Sequence, residues 1–264
     1  MDSFFYLVML AGAIAGAGAG LLGVYIVGMR APFIGVCISH TAMAGVIYSI
    51  LFGINQVWWP ALFSALCAMS LAAVRPGRSR IDVNVALAIL FNLVLGVSFL
   101  GVGLMRGTRT EVLGLLWGSL LFVRKGSVLT ISVLTLVFVI FAAVFNKELK
   151  ALLFSRTIAS ATGVHESLVY ALLLGLCGLV LSASLPLVGG LMMFSLTTCP
   201  AAAAYQICRG HRAVVVTATF FGGASAILGF LASYWLDLAT GACIVITSTI
   251  IFGLCVVWRL CRDQ

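Results

Sequence analysis

Ala31-Pro32-Phe33-Ile34-Gly35-Val36-Cys37-Ile38-Ser39-His40-Thr41-Ala42-Met43-Ala44-Gly45, running on to Phe52, is the stretch around which the chain is organised. It reads as one membrane-spanning helix, since about 20 apolar residues suffice to cross a bilayer. A histidine lies about a third of the way along it. An imidazole in hydrocarbon is costly unless it faces protein, water or a ligand. Cys37 and Met43 stand three residues either side of His40, which on a helix makes one stripe. Cys, His and Met side chains bind soft or borderline metal ions. The same three also serve as packing: a histidine can hydrogen-bond a neighbouring helix, and Cys and Met are ordinary core residues. Both readings stay open on the stretch alone.

The rest of the chain is built like this stretch. Its 264 residues are 63% hydrophobic and 8% charged, with a mean hydropathy of +1.23. Soluble domains carry about a quarter charged residues, so a soluble fold is excluded. The apolar runs recur over the whole length and are too continuous for alternating strands, which excludes a β-barrel. The expected fold is therefore an all-α polytopic membrane protein, a single transmembrane domain over residues 1–264. The first helix begins behind the acidic Asp2 and lacks the basic lead of a cleavable signal. A formal charge of +8 could suggest nucleic acid, but the basic residues sit in short loops between spans, where membrane orientation explains them. Of the eight cysteines, at 37, 67, 177, 199, 208, 243, 255 and 261, most are isolated in apolar helices and none forms a CxxC pair. Reduced packing cysteines fit better than a disulfide framework.

In order, spans are expected at 4–28, 33–52, a third that follows a loop containing Asn55, Trp58, Trp59 and Pro60 and ends near Val74, then 83–104, 128–145, 168–182, 187–198, a span ending near Tyr234-Trp235, and a last one reaching Trp258. That makes 8 to 9 spans with short re-entrant and cytoplasmic helices added. Gly12, Gly16 and Gly20, interleaved with Ala11, Ala15 and Ala19, give the first span a face that a neighbouring backbone can approach closely. Asn84 and Asn92 in the fourth span are not expected to face lipid. Residues 112–123 are short for a crossing and read as re-entrant or interfacial. Residues 146–163 read as an amphipathic cytoplasmic element. Pro200-Ala201-Ala202-Ala203-Ala204 has proline at a helix start followed by the best helix former, so a separate short surface helix is expected there.

Alternating the spans puts Arg30, the arginines of 75–80, Lys147, Lys150, Arg156, Arg209, Arg212, Arg259 and Arg262 on one side, most of the 15 basic residues. The positive-inside bias sets the C-terminus in the cytoplasm. No Gly-rich loop followed by Lys-Ser/Thr occurs, no HExxH, and no paired carboxylates within a span. Ser39 and His40 are adjacent, so their side chains diverge by about 100° on a helix and make a poor catalytic dyad. The seven acids, at 2, 82, 111, 148, 166, 237 and 263, all fall at span ends or in loops. A transporter using its own ion gradient needs an ionisable group deep in a span, so energy is expected from outside the chain.

At this point a family resemblance emerges over essentially the whole length. Phe33-Ile34-Gly35-Val36-Cys37-Ile38-Ser39-His40-Thr41-Ala42-Met43-Ala44-Gly45 is similar to FxGDALSHAALPG, the second span of the permease subunits of zinc/manganese/iron ABC transporters, the ABC-3 family. Asp82-Val83-Asn84-Val85-Ala86 resembles that family's DTAIG-like stretch, and Leu116-Trp117-Gly118-Ser119 its FGS segment. Residues 154–163 resemble FDxxxARxLG. Val188-Gly189-Gly190-Leu191 through Pro200-Ala201-Ala202-Ala203-Ala204 resembles VGxLLVxxLLxxPAATA, and residues 234–245 resemble YxxDxPxGAxIVL.

The resemblance implies a permease in the bacterial inner membrane that holds no permanent cofactor and has a divalent metal ion as its substrate. It implies two ATPase subunits, a second permease copy or related subunit, and an extracytoplasmic metal-binding protein, with no nucleic acid involved. In the family the metal passes an aspartate and a histidine four residues apart on the second span. Here the histidine is His40 and the aspartate position is Val36. Further departures are Ala44 and Ala239 in place of prolines, and Ser155 in place of an aspartate. Loss of the carboxylate disfavours Mn²⁺ more than Zn²⁺ or a softer ion. Cys37 could supply a thiolate instead, or could be packing. The ATPase is expected to dock on the helix carrying Pro200, Ala203, Gln206 and Arg209. The remaining alternatives are a permease of the same architecture for another small solute, and a structural or sensory membrane protein derived from one.

Overall fold

Helix is what a chain this apolar must form, because in hydrocarbon every backbone N–H and C=O has to be satisfied within its own segment. The computed structural model describes residues 3–53, 58–73, 83–105, 125–154, 159 and 166–262, and all the elements there are helices. They are α1 (Ser3–Gly28), α2 (Phe33–Phe52), α3 (Trp58–Ala73), α4 (Val83–Leu104), α5 (Lys125–Val144), α6 (Asn146–Phe154), α7 (Glu166–Val188), α8 (Gly190–Ile207), α9 (His211–Leu236) and α10 (Thr240–Arg262). Among the described residues seven helices are long and apolar enough to span a membrane: α1, α2, α4, α5, α7, α9 and α10. The arginine cluster of 75–80, Asp82, segment 112–123, Ser155, Arg156 and His165 lie outside the described residues.

Two expected boundaries differ from the observed ones. Helix α7 runs through Pro186 to Val188, and the break falls at Gly189, whose φ of 90° only glycine adopts without strain. Helix α8 then runs without interruption from Gly190 through Pro200 to Ile207. The segment 187–198 and the surface helix beginning at Pro200 are thus two parts of one element. Proline suits a helix start because its missing N–H does no harm there. Inside a membrane bundle neighbouring helices tolerate it mid-helix as well.

Helix α2 is the centre of the bundle. Residues from Ile34 to Ile47, together with Ser49, are buried, and α2 packs against α3, α4, α7 and α8. Helix α1 runs beside α9 along the small-residue stripe. A β-carbon on Gly16 would meet the carbonyl of Gly222, and one on Gly222 would meet the carbonyl of Gly16; Gly20 meets Ala218 in the same way. Such backbone contact needs small residues on both sides. Gly222→Leu should therefore lower the thermal midpoint of the detergent-solubilised protein, by the equivalent of about 1–3 kcal/mol or more of overpacking. Gly175→Leu, where nothing lies within 4 Å of an added β-carbon, should leave it unchanged.

Packing also sorts the ends. The Tyr205 hydroxyl at the end of α8 donates to the Val24 carbonyl at 2.9 Å. Tyr205 and Leu153 both lie over Gly28. The His211 ring stands edge-on to Tyr25 with centroids 5.9 Å apart, and Arg259 donates to the Gln206 side-chain oxygen. The C-terminal ends of α1, α8 and α10, the start of α9 and all of α6 thus share one end. That end carries Arg30, Lys147, Lys150, Arg209, Arg212, Arg259 and Arg262. At the other end Phe5 packs on Phe230 and Tyr234, both at 5.3 Å, and Trp58 and Trp235 are exposed, as aromatic residues at a membrane interface are.

Candidate permeation site

Four residues make one turn of helix, so His40 on α2 sits directly above Val36. Its Nδ1 lies 3.0 Å from the Val36 carbonyl oxygen. A carbonyl only accepts, so Nδ1 carries the proton and Nε2 keeps its lone pair, the form of imidazole that binds a metal ion. Across from it, Phe91 of α4 meets the ring edge-on, with centroids 5.0 Å apart and planes at 85°. His40 is 3% exposed. Val36 is buried as well, and its carbonyl also accepts from the Ser39 hydroxyl at 3.1 Å. A backbone oxygen thus orients the imidazole where the resembled family has a carboxylate available.

Cys37 faces α4 one turn away, as the stripe required, and its thiol donates to the Leu87 carbonyl at 3.2 Å. The thiol joins α2 to α4 in this way, while Thr41 returns its own proton to the Cys37 carbonyl at 2.6 Å. Among the described residues no group of three or more His, Cys, Asp or Glu is placed to hold an ion. Met43 points the other way along the path of α8, its sulfur next to Gly190. Asn84 and Asn92, expected away from lipid, are exposed on the outer face of α4 in the single chain.

Sequence reasoning missed a polar seam between α8 and α10. Ser195 and Ser248 hydrogen-bond at 2.8 Å, and the sulfur of Cys199, a turn further, lies 4.0 Å from the Thr249 hydroxyl. The signal was present as Ser195 and Cys199 four apart on one helix and Ser248-Thr249 on another, but their pairing is a tertiary fact. The four docking residues separate likewise. Pro200 and Ala203 are buried, Ala203 completely. Gln206 holds Arg259, and Arg209 is exposed. Gln206 and Arg209 line a polar pocket of about 190 Å³ together with Tyr205, Trp258, Arg259 and Arg262. Ala203, expected on the docking helix, is thus turned into the bundle, and a carboxylate there would enter packed core.

The described residues form a bundle of apolar helices around one buried histidine-bearing span, the architecture of a polytopic membrane protein. Residues 1–259 match the model of the ABC 3 transport family, and the chain belongs to that family. It is 28% identical over 250 residues to the manganese transport system membrane protein MntC of Listeria monocytogenes, covering 95% of this chain and 89% of that one. It is 25% identical over 246 residues to the high-affinity zinc uptake system membrane protein ZnuB of Haemophilus influenzae, covering 93% and 94%. Its fold is shared with a chain of PsaBC from Streptococcus pneumoniae in complex with Fab, at a TM-score of 0.85 and 23% identity, covering 97% of this chain and 91% of that one.

Proposed function

We propose that this chain is the permease subunit of an importer that passes a divalent transition-metal cation (zinc, manganese or iron) across the bacterial cytoplasmic membrane. ATP hydrolysis on separate subunits drives it. The observation that carries the proposal is His40, a metal-competent imidazole on the central helix of a chain whose relatives are named for manganese and zinc transport. One nitrogen ligand suits transit, because a site complete enough to hold an ion would trap it. At 3% exposure no ion reaches Nε2 while Phe91 covers the ring, so passage requires α4 to move against α2. Supplying that motion is the task of the ATPase.

The basic end of the bundle is the cytoplasmic one, with the C-terminus inside. Two ATPase subunits dock there, at the surface carrying Gln206 and Arg209, and an extracytoplasmic metal-binding protein delivers the cation to the opposite end. A second permease copy, or a related subunit, covers α4, whose exposed face includes Ile89, Leu93 and Phe99 beside Asn92. An amide in mid-span is costly against lipid and finds a partner against protein. With Val36 in place of a carboxylate the path favours Zn²⁺ over the harder Mn²⁺. Vesicles containing the permease and its ATPase should accumulate Zn²⁺ when ATP is supplied, and Mn²⁺ more slowly. An assembled complex that hydrolyses ATP yet moves none of Zn²⁺, Mn²⁺ and Fe²⁺ sinks the metal assignment in favour of another small solute.

A further inference from the structure

Helices α5 and α9 both pack on α1 and flank the C-terminal part of it. Between them lies a groove of about 580 Å³, floored by Leu21 and Tyr25, with Val139 and Ala142 on one wall and Val215 and Phe220 on the other. Its mouth is of another character. Asn146, His211 and Arg212 line it at the basic end of the bundle, and Lys150 lies close enough to act electrostatically on His211. Among the described residues no acidic side chain lines the groove. From Arg212 to Phe220 helix α9 rises about 12 Å, so the apolar part runs from the membrane surface into the hydrocarbon.

An occupant has to be apolar along that depth and negatively charged at the mouth. A second copy of this chain fits poorly. Membrane topology gives both copies the same orientation, which would bring Lys150 and Arg212 of one toward Arg212 and Lys150 of the other. We propose that the groove holds an acyl chain of an anionic phospholipid, with its headgroup phosphate on Arg212 and His211. Basic pockets between spans on the cytoplasmic side suit such headgroups. The occupant would brace α5 against α9, both of which pack on α1.

The test is native mass spectrometry of the full permease–ATPase complex released from nanodiscs of equal phosphatidylglycerol and phosphatidylcholine. The wild type should retain phosphatidylglycerol in clear excess. Arg212→Gln should cut that retention about fivefold, the effect of one basic residue near a membrane surface, and leave phosphatidylcholine unchanged. Ala143→Trp, which fills the groove, should lower both lipids. If that variant does not assemble, the exposed Arg212 decides alone. Equal retention of the two lipids by the wild type overturns the proposal, as does unchanged retention in Arg212→Gln. So does a crosslink between two copies carrying Ala143→Cys, which would put protein in the groove.

Discussion

His40→Phe should reduce ATP-driven metal uptake on the order of 100-fold or more, given that loss of even an outer-shell partner of a metal ligand costs about 10–100-fold in affinity or activity. Phenylalanine is the informative replacement. His40 fills its space against Phe91 at a centroid distance of 5.0 Å, and truncation to alanine would open a cavity worth a few kcal/mol, roughly 3. Phe fills the space and removes only the nitrogens, so lost uptake in a complex that still assembles and hydrolyses ATP isolates the ligand role. Cys37→Ser serves as control, since serine can still donate to the Leu87 carbonyl that Cys37 now contacts at 3.2 Å, and uptake should persist. Val36→Asp adds a hard oxygen ligand one turn from His40 and should shift the preference toward Mn²⁺. Normal uptake by a folded His40→Phe complex would reduce His40 to helix packing, and the path would be sought around Asn92 and Met193.

Much of the architecture could be read from the sequence because hydrocarbon leaves a chain so little choice. Spans announce themselves by length and hydropathy. The glycine stripe of α1 announces close contact, and Gly16 does meet Gly222. What failed were the breaks within apolar sequence. The sequence suggests a span ending before Pro186 and a helix starting at Pro200, yet both prolines lie inside helices, and the turn belongs to Gly189. Hydropathy carries no information about a break that is buried in the bundle. The site was half legible. His40 stood out because an imidazole in a span demands a reason, whereas its orienting bond to a backbone carbonyl leaves no trace in side-chain identity. Cys37 and His40 do form one stripe, but only the partner helix reveals that the thiol proton goes to Leu87. The outward placement of Asn92 could not be read either, since periodicity gives a residue's face and not what covers it.

Arg209→Glu should uncouple the transporter, lowering metal uptake by about tenfold or more while ATP hydrolysis continues, as expected when a charge at a docking surface is reversed. The residue suits the test because it is exposed, just beyond the end of α8. Its removal therefore costs the bundle no packing. Ala203→Glu makes the contrast. Ala203 has no exposed surface, and a carboxylate there should destabilise the membrane part by several kcal/mol, on the order of 3, and so lose assembly rather than coupling. Helix α8 gives Arg209 mechanical reach. The same helix carries Thr197, whose hydroxyl lies near Gly35 of α2, the residue next to Val36, whose carbonyl orients His40. If the ATPase docks at Arg209, a push there would reach the helix bearing His40 along the unbroken α8, whereas a separate surface helix would have to transmit it through a loop. The competing surface is α6, at the same end, with Lys147 and Lys150 exposed. Coupling measured in Arg209→Glu beside a Lys147→Glu, Lys150→Glu double variant separates the two. Full coupling in the first with loss in the second would move the docking surface from the end of α8 to α6.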